Sequence, residues 1–118
     1  MEQDKTDKIS YAPFILLDSG EYGSLILSDQ HMIEKFHVFE ERADEGWNGN
    51  GYDWNSIAQV IVAEQLPDLQ DELDLDPEAG MFSAQGSRSA LERFGKAMSS
   101  AFHNDEVLRD LLSRAELD

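Results

Sequence analysis

His31, His37 and His103 are the chain's imidazoles, and they stand among 25 carboxylates with no cysteine to join them. Glu34 and His37 are three residues apart, which places a carboxylate and an imidazole on one face of a helix, the spacing that carboxylate-bridged di-iron bundles use. Such a site needs a second copy and further glutamates from other helices. The sequence supplies neither, so the pair reads as a surface feature. Gln85-Gly86-Ser87-Arg88-Ser89 has only one of the two glycines of a nucleophile elbow, and Ser87 reads instead as a helix cap. Gly49-Asn50-Gly51 lacks the preceding strand and the third glycine of a dinucleotide loop. Asp44, Asn48, Asn50 and Asp53 are oxygen donors among glycines. The twelfth position counted from Asp44 is Asn55, however, where a calcium loop needs a glutamate.

Without cysteine the chain has no disulfide framework, Cys-based zinc site, iron–sulfur cluster or thiol chemistry, which leaves the cytosol as the default compartment. No catalytic residue, cofactor or metal site is expected, and the protein is not expected to be an enzyme. The enzymatic alternative is a metal-assisted hydrolase using the Asp/Glu cluster with a histidine. It would require a cleft that gathers them and shifts their pKa values.

The carboxylates speak more clearly through their number than through any catalytic spacing. Nine Lys and Arg against 25 Asp and Glu give 9 − 25 = −16 over 118 residues. A protein so acidic is not expected to bind nucleic acid or an anionic membrane, because both call for a positive face. From Ala43 to Ser87 there is no Lys or Arg, while ten acids fall in that stretch. Seven of these crowd together as Glu64, Asp68, Asp71, Glu72, Asp74, Asp76 and Glu78. Like charges at this density repel one another, which marks the segment as a candidate surface for a basic partner. The bland alternative is a solvated face that keeps the protein soluble. Residues 1–10 carry charges of both signs without an apolar signal core, so they are expected to form a flexible tail, with no export signal and no membrane span.

The elements that must carry these residues can be read from periodicity. Ala12 to Asp18 and Ser24 to Ser28 flank a turn and predict an antiparallel hairpin. Met32, Phe36, Phe39 and Ala43 recur at helical steps and predict a helix from Ser28 or Asp29 to about Ala43. After the loop Gly46 to Tyr52, Asp53 is the expected N-cap of a helix from Trp54 to about Leu66. Glu72 to Asp76 alternates with period two, as a half-buried strand does, its acids toward water. Asp76-Pro77-Glu78-Ala79-Gly80 has turn chemistry and leads to a strand over Met81 to Gln85. Ser87 and Asn104 then cap two helices, carrying Leu91, Phe94, Met98 and Phe102, and Val107, Leu108, Leu111, Leu112 and Ala115. The expectation is one α+β domain over residues 11–118, about four antiparallel strands packed by about four helices in the order ββααββαα.

Three glycines, two asparagines and three large aromatics share the segment Gly46 to Trp54. On a structural reading, Tyr52 and Trp54 plug into the core while the glycines allow tight turns. On a functional one, Trp47 or Tyr52 stays exposed as an interface anchor. Gly49-Asn50-Gly51-Tyr52-Asp53-Trp54 entering a helix, followed after the acidic stretch by Asp76-Pro77-Glu78-Ala79-Gly80-Met81-Phe82, resembles the immunity protein 51 family of bacterial polymorphic toxin systems. The resemblance runs from about Phe14 to Ala115.

That resemblance implies a small cytoplasmic α+β antidote, encoded beside a toxin, that binds the toxin's C-terminal domain; contact-dependent growth inhibition is one such setting. It brings no catalytic residues. Its motif positions Gly49, Gly51, Tyr52, Asp53, Trp54, Asp76, Pro77 and Gly80 are expected to serve the fold. Charge and resemblance together predict that the surface from Glu64 to Glu78, with Trp47 or Tyr52 as anchors, occludes the basic cleft of a nuclease toxin. The competing expectation is an acidic regulatory or adaptor domain with another basic partner. Oligomeric state is not written in the sequence.

Overall fold

Two stretches of alternating side chains, each folded back on itself, build the sheet. In the computed structural model, which describes residues 11–19 and 22–117, the first hairpin is β1 (Ile15–Ser19) with β2 (Tyr22–Ser28), and the second is β3 (Leu73–Glu78) with β4 (Met81–Ser87). The tail expected at residues 1–10 lies outside the described residues. β2 and β4 pair with each other, so the order is β1-β2-β4-β3, antiparallel throughout, with β1 and β3 at the edges.

Because directly opposed residues share a face of a sheet, the register sorts the side chains into two layers. Leu25, Leu27, Phe82 and Ala84 point one way and are buried, with Leu16, Leu73 and Leu75 packed beside them. Facing the other way are rows that cross all four strands: Leu17, Ser24, Gln85 and Asp74 in one, Ile15, Ile26, Ser83 and Asp76 in the next. The acids of β3 do face water, as the period-two pattern predicts.

All the helices lie on the first face. α1 (Asp29–Met32) and α2 (Phe36–Glu40) follow β2, α3 (Gly51–Gln65) precedes β3, and α4 (Arg88–Phe102) and α5 (Asp105–Arg114) close the chain. α3 and α4 pack on the sheet, and α5 packs on α2, α3 and α4. The expected α+β class holds, and the ββααββαα order roughly matches, with α1 and α2 standing where one helix was expected. Leu91, Phe94, Met98 and Phe102 are all buried, and Ser87 and Asn104 cap α4 and α5 as predicted. Val107 is the exception on α5, left partly exposed.

Several boundaries differ from expectation. β1 starts at Ile15, not Ala12, and runs to Ser19, while β2 takes in Tyr22 and Gly23, expected in the turn. The helix predicted from Asp29 to Ala43 is broken by a 3-10 turn at Ile33–Lys35, where Lys35 leaves helical geometry at φ −116°. The break rephases the apolar stripe so that Val38 and Phe39 are buried together while Ala43 is exposed, and it sets the Lys35 ammonium 2.7 Å from Asp105 of α5 and over the Phe102 ring. α3 begins at Gly51, capped by Asn50, not at Trp54. β3 runs through Pro77 to Glu78, leaving Ala79 and Gly80 as the turn; proline is tolerated because the strand is an edge, where a missing N–H costs no ladder bond.

Candidate functional site

The two sequence motifs meet in space. The Gly51 N–H donates to the Ala79 carbonyl at 3.0 Å, and the Asp29 N–H donates to the Gly80 carbonyl at 3.1 Å, so the β3–β4 turn is bound to the starts of α3 and α1. A Cβ at Gly51 would overlap the Glu78 carbonyl oxygen and come within 2.7 Å of that of Met81. Glycine is required there because the β3–β4 backbone occupies the place of a side chain. Gly49 has the other requirement: its φ of +88° lies in the left-handed region, and Phe36 sits 2.7 Å from where a Cβ would be.

Asp53 is not the cap but the third residue of α3. The Asn50 side-chain oxygen accepts from the Asp53 N–H at 3.0 Å, while the buried Asp53 carboxylate reaches back to accept from the N–H groups of Asn48 and Gly49, both at 2.7 Å. This is the reciprocal logic of a capping box, displaced by one or two residues along the loop. Trp54 then stands at the centre of the core, its ring 5.7 Å from Phe102, 5.5 Å from Phe39 and 6.3 Å from Phe14.

The two candidate anchors part company. Trp47 is only 4% exposed and belongs to the core; Tyr52, buried on the structural reading and exposed on the functional one, is 42% exposed and borders a shallow depression with Asn48, Asn50 and Leu117. Tyr52 is the second residue of α3, and its neighbours Gly51 and Asp53 use the inward positions.

The seven acids fall into two groups. Glu64, near the end of α3, holds Arg114 of α5 through two hydrogen bonds of 2.7 and 2.9 Å. Asp68 holds Arg93 of α4 at 2.6 and 3.2 Å. These guanidinium groups lower the pKa of both carboxyls, chiefly through the hydrogen bonds. Asp71, Glu72, Asp74, Asp76 and Glu78 are exposed and form no ion pair among the described residues. Asp74, Asp76 and Glu78 project from the uncovered face of β3, and Asp71, Glu72 and Asp74 border a depression of about 400 Å³ whose far wall is Tyr22.

Glu34 does not pair with His37, because it lies within the 3-10 turn that breaks the helix before His37; its carboxylate lies 2.9 Å from His31, and His37 Nε2 lies 2.8 Å from Asp105. His103 Nε2 donates to the Ala12 carbonyl at 2.8 Å. No group of three or more His, Asp or Glu converges at metal-binding distance among the described residues. Sequence reasoning missed the apolar side of the uncovered face, where Ile15, Leu17 and Tyr22 are half-exposed or more. The signal was available in Phe14-Ile15-Leu16-Leu17, an apolar run without alternation, which must place apolar side chains on both faces of a strand.

No helix among the described residues is long and apolar enough to cross a membrane. The sequence model of the immunity protein 51 family matches residues 14–117, nearly the whole chain. No curated protein and no solved structure matches it.

Proposed function

The chain belongs to the immunity protein 51 family, and from that premise we propose that it is the cytoplasmic antitoxin of a polymorphic toxin pair, acting by binding and not by turnover. Its target is the C-terminal domain of a toxin encoded beside it, a nuclease whose cleft for nucleic acid is basic. The antitoxin presents an acidic surface that competes with the phosphate backbone for that cleft.

One observation carries the electrostatic part of this reading. The acids of the edge strand, Asp74, Asp76 and Glu78, stand in water without a basic partner among the described residues, whereas Glu64 and Asp68 are neutralised by arginines. Unpaired like charges in a row repel one another, and a basic partner removes that repulsion as it docks. The binding surface is therefore narrower than the stretch Glu64 to Glu78. It centres on Asp71, Glu72, Asp74, Asp76 and Glu78, with Tyr52 as an exposed aromatic at the adjoining start of α3.

The test is co-expression with the C-terminal domain of the toxin encoded next to the gene. Growth rescue, with a complex whose association slows as salt rises, is expected. Failure of the wild-type protein to rescue growth or to form a complex would overturn the antitoxin reading, and rescue without salt dependence would remove the electrostatic mechanism while leaving neutralisation intact.

A further inference from the structure

We infer that the uncovered face of the sheet is a two-sided docking surface for a toxin segment that is apolar along one flank and basic along the other, an inference that rests on the antitoxin reading. Among the described residues the helices cover only one face of the sheet. Across the other, chemistry changes strand by strand. At the β1 edge Ile15 and Leu17 are 55% and 50% exposed, and Tyr22 at the start of β2 is 66% exposed. At the β3 edge the same two rows end in Asp74 and Asp76. Between them lie Ser24 and the exposed Gln85 in one row and Ile26 and Ser83 in the other, and Ser83 is tied down by donating to the Asp76 carbonyl at 3.0 Å.

Four strands spaced about 4.8 Å apart put the apolar and acidic margins about 14 Å from each other. A helix of about 10–12 Å diameter, or a two-stranded ribbon, laid over the two middle strands touches both margins at once. An apolar flank would cover Ile15 and Leu17, whose exposure on the β1 edge is otherwise a liability, and would reach Tyr22 on the neighbouring β2. A basic flank would meet Asp74 and Asp76, which are exposed and form no ion pair among the described residues. Charge complementarity therefore fixes the orientation of the occupant as well as its chemistry. The two margins divide the work: the acids govern encounter and the apolar margin governs how long the complex lasts.

The experiment uses the full chain and the neighbouring toxin C-terminal domain, with binding kinetics and hydrogen exchange on the complex. Leu17→Asp, on the exposed edge, is expected to speed dissociation by about tenfold or more while leaving association nearly unchanged; Val107→Asp, another exposed apolar position, on α5, is expected to change neither. Amides of β1 and β3 are expected to gain protection in the complex. Normal binding by Leu17→Asp, with protection confined to α3 and α5, would overturn the docking surface while the antitoxin reading stands. A free protein of twice 13.3 kDa that Leu17→Asp converts to 13.3 kDa would assign the face to a second copy of the chain and would also overturn it. Absence of any complex with the wild-type chain would instead bring down both readings together.

Discussion

Gly51 and Gly80 stand in the same pair of motifs, yet they answer to different constraints. The site where Gly51 would carry a Cβ is filled by the Glu78 and Met81 carbonyls, backbone atoms that cannot swing aside; at Gly80 the nearest atom is an Asp29 carboxylate oxygen at 3.7 Å, and the backbone is not left-handed. Gly51→Ala should therefore cost at least about 3 kcal/mol or prevent folding, while Gly80→Ala should shift the melting temperature little, and thermal denaturation of the two variants separates the cases. Asp53→Ala strips the acceptor from the Asn48 and Gly49 amides, an expected loss of about 2–4 kcal/mol in a denaturant titration. The motif was legible as structural before any coordinates, because glycine and a helix-starting acid have few other uses together. Which aromatic would be buried was not legible. Trp47 and Tyr52 are both large and both flank the glycines, and only the start of α3 at Gly51 decides that Tyr52 turns outward.

At the scale of elements, strands were easier to place than the first helix, since a two-residue period survives a shift of one boundary but a helical stripe does not survive a 3-10 turn. The break at Ile33–Lys35 is set by what α5 offers: Asp105 accepts from Lys35 at 2.7 Å and pairs with His37 at 2.8 Å, contacts 70 and 68 residues apart in sequence. No local pattern encodes them. The same contacts hold the Asp105 carboxyl well below its ordinary range, at about 2, His37 first and Lys35 second among the causes. A depressed carboxyl pKa contributes stability that is fully present above the ordinary value near 4 and is lost as pH falls toward 2. With about a third of the side chain in water, the contribution is of order 1 kcal/mol after screening. Asp105→Asn should accordingly lower the melting temperature by about 3–5 °C at pH 6, and the gap from wild type should close by about pH 2. Because protonating the other acids relieves the net repulsion in both proteins, at −16 in the wild type and 9 − 24 = −15 in the variant, the difference between the two curves isolates this site.

For the whole molecule, what matters is where the negative charge is left uncompensated. Arg93, Arg109 and Arg114 on α4 and α5 each hold a carboxylate, of Asp68, Glu41 and Glu64 respectively, so much of the helical layer is internally matched, while the acids of β3 are not. A steered encounter depends on the local potential over the approach path more than on total charge, because at physiological salt interactions fade over about 8 Å. That distinction can be measured. Reversing Asp74 and Asp76 to lysine changes the net charge from −16 to −12, two units at each position, and reversing Glu40 of α2 and Glu116 beyond α5 does the same arithmetic in the helical layer. If β3 steers, the first pair should slow association with the toxin domain by about tenfold or more at low salt and flatten its salt dependence, toward the roughly 10⁵–10⁶ M⁻¹s⁻¹ of unsteered docking. The second pair should leave the rate nearly unchanged. Equal slowing by both would mean that bulk acidity draws the partner in, and the unpaired row on β3 would then have no special part in encounter.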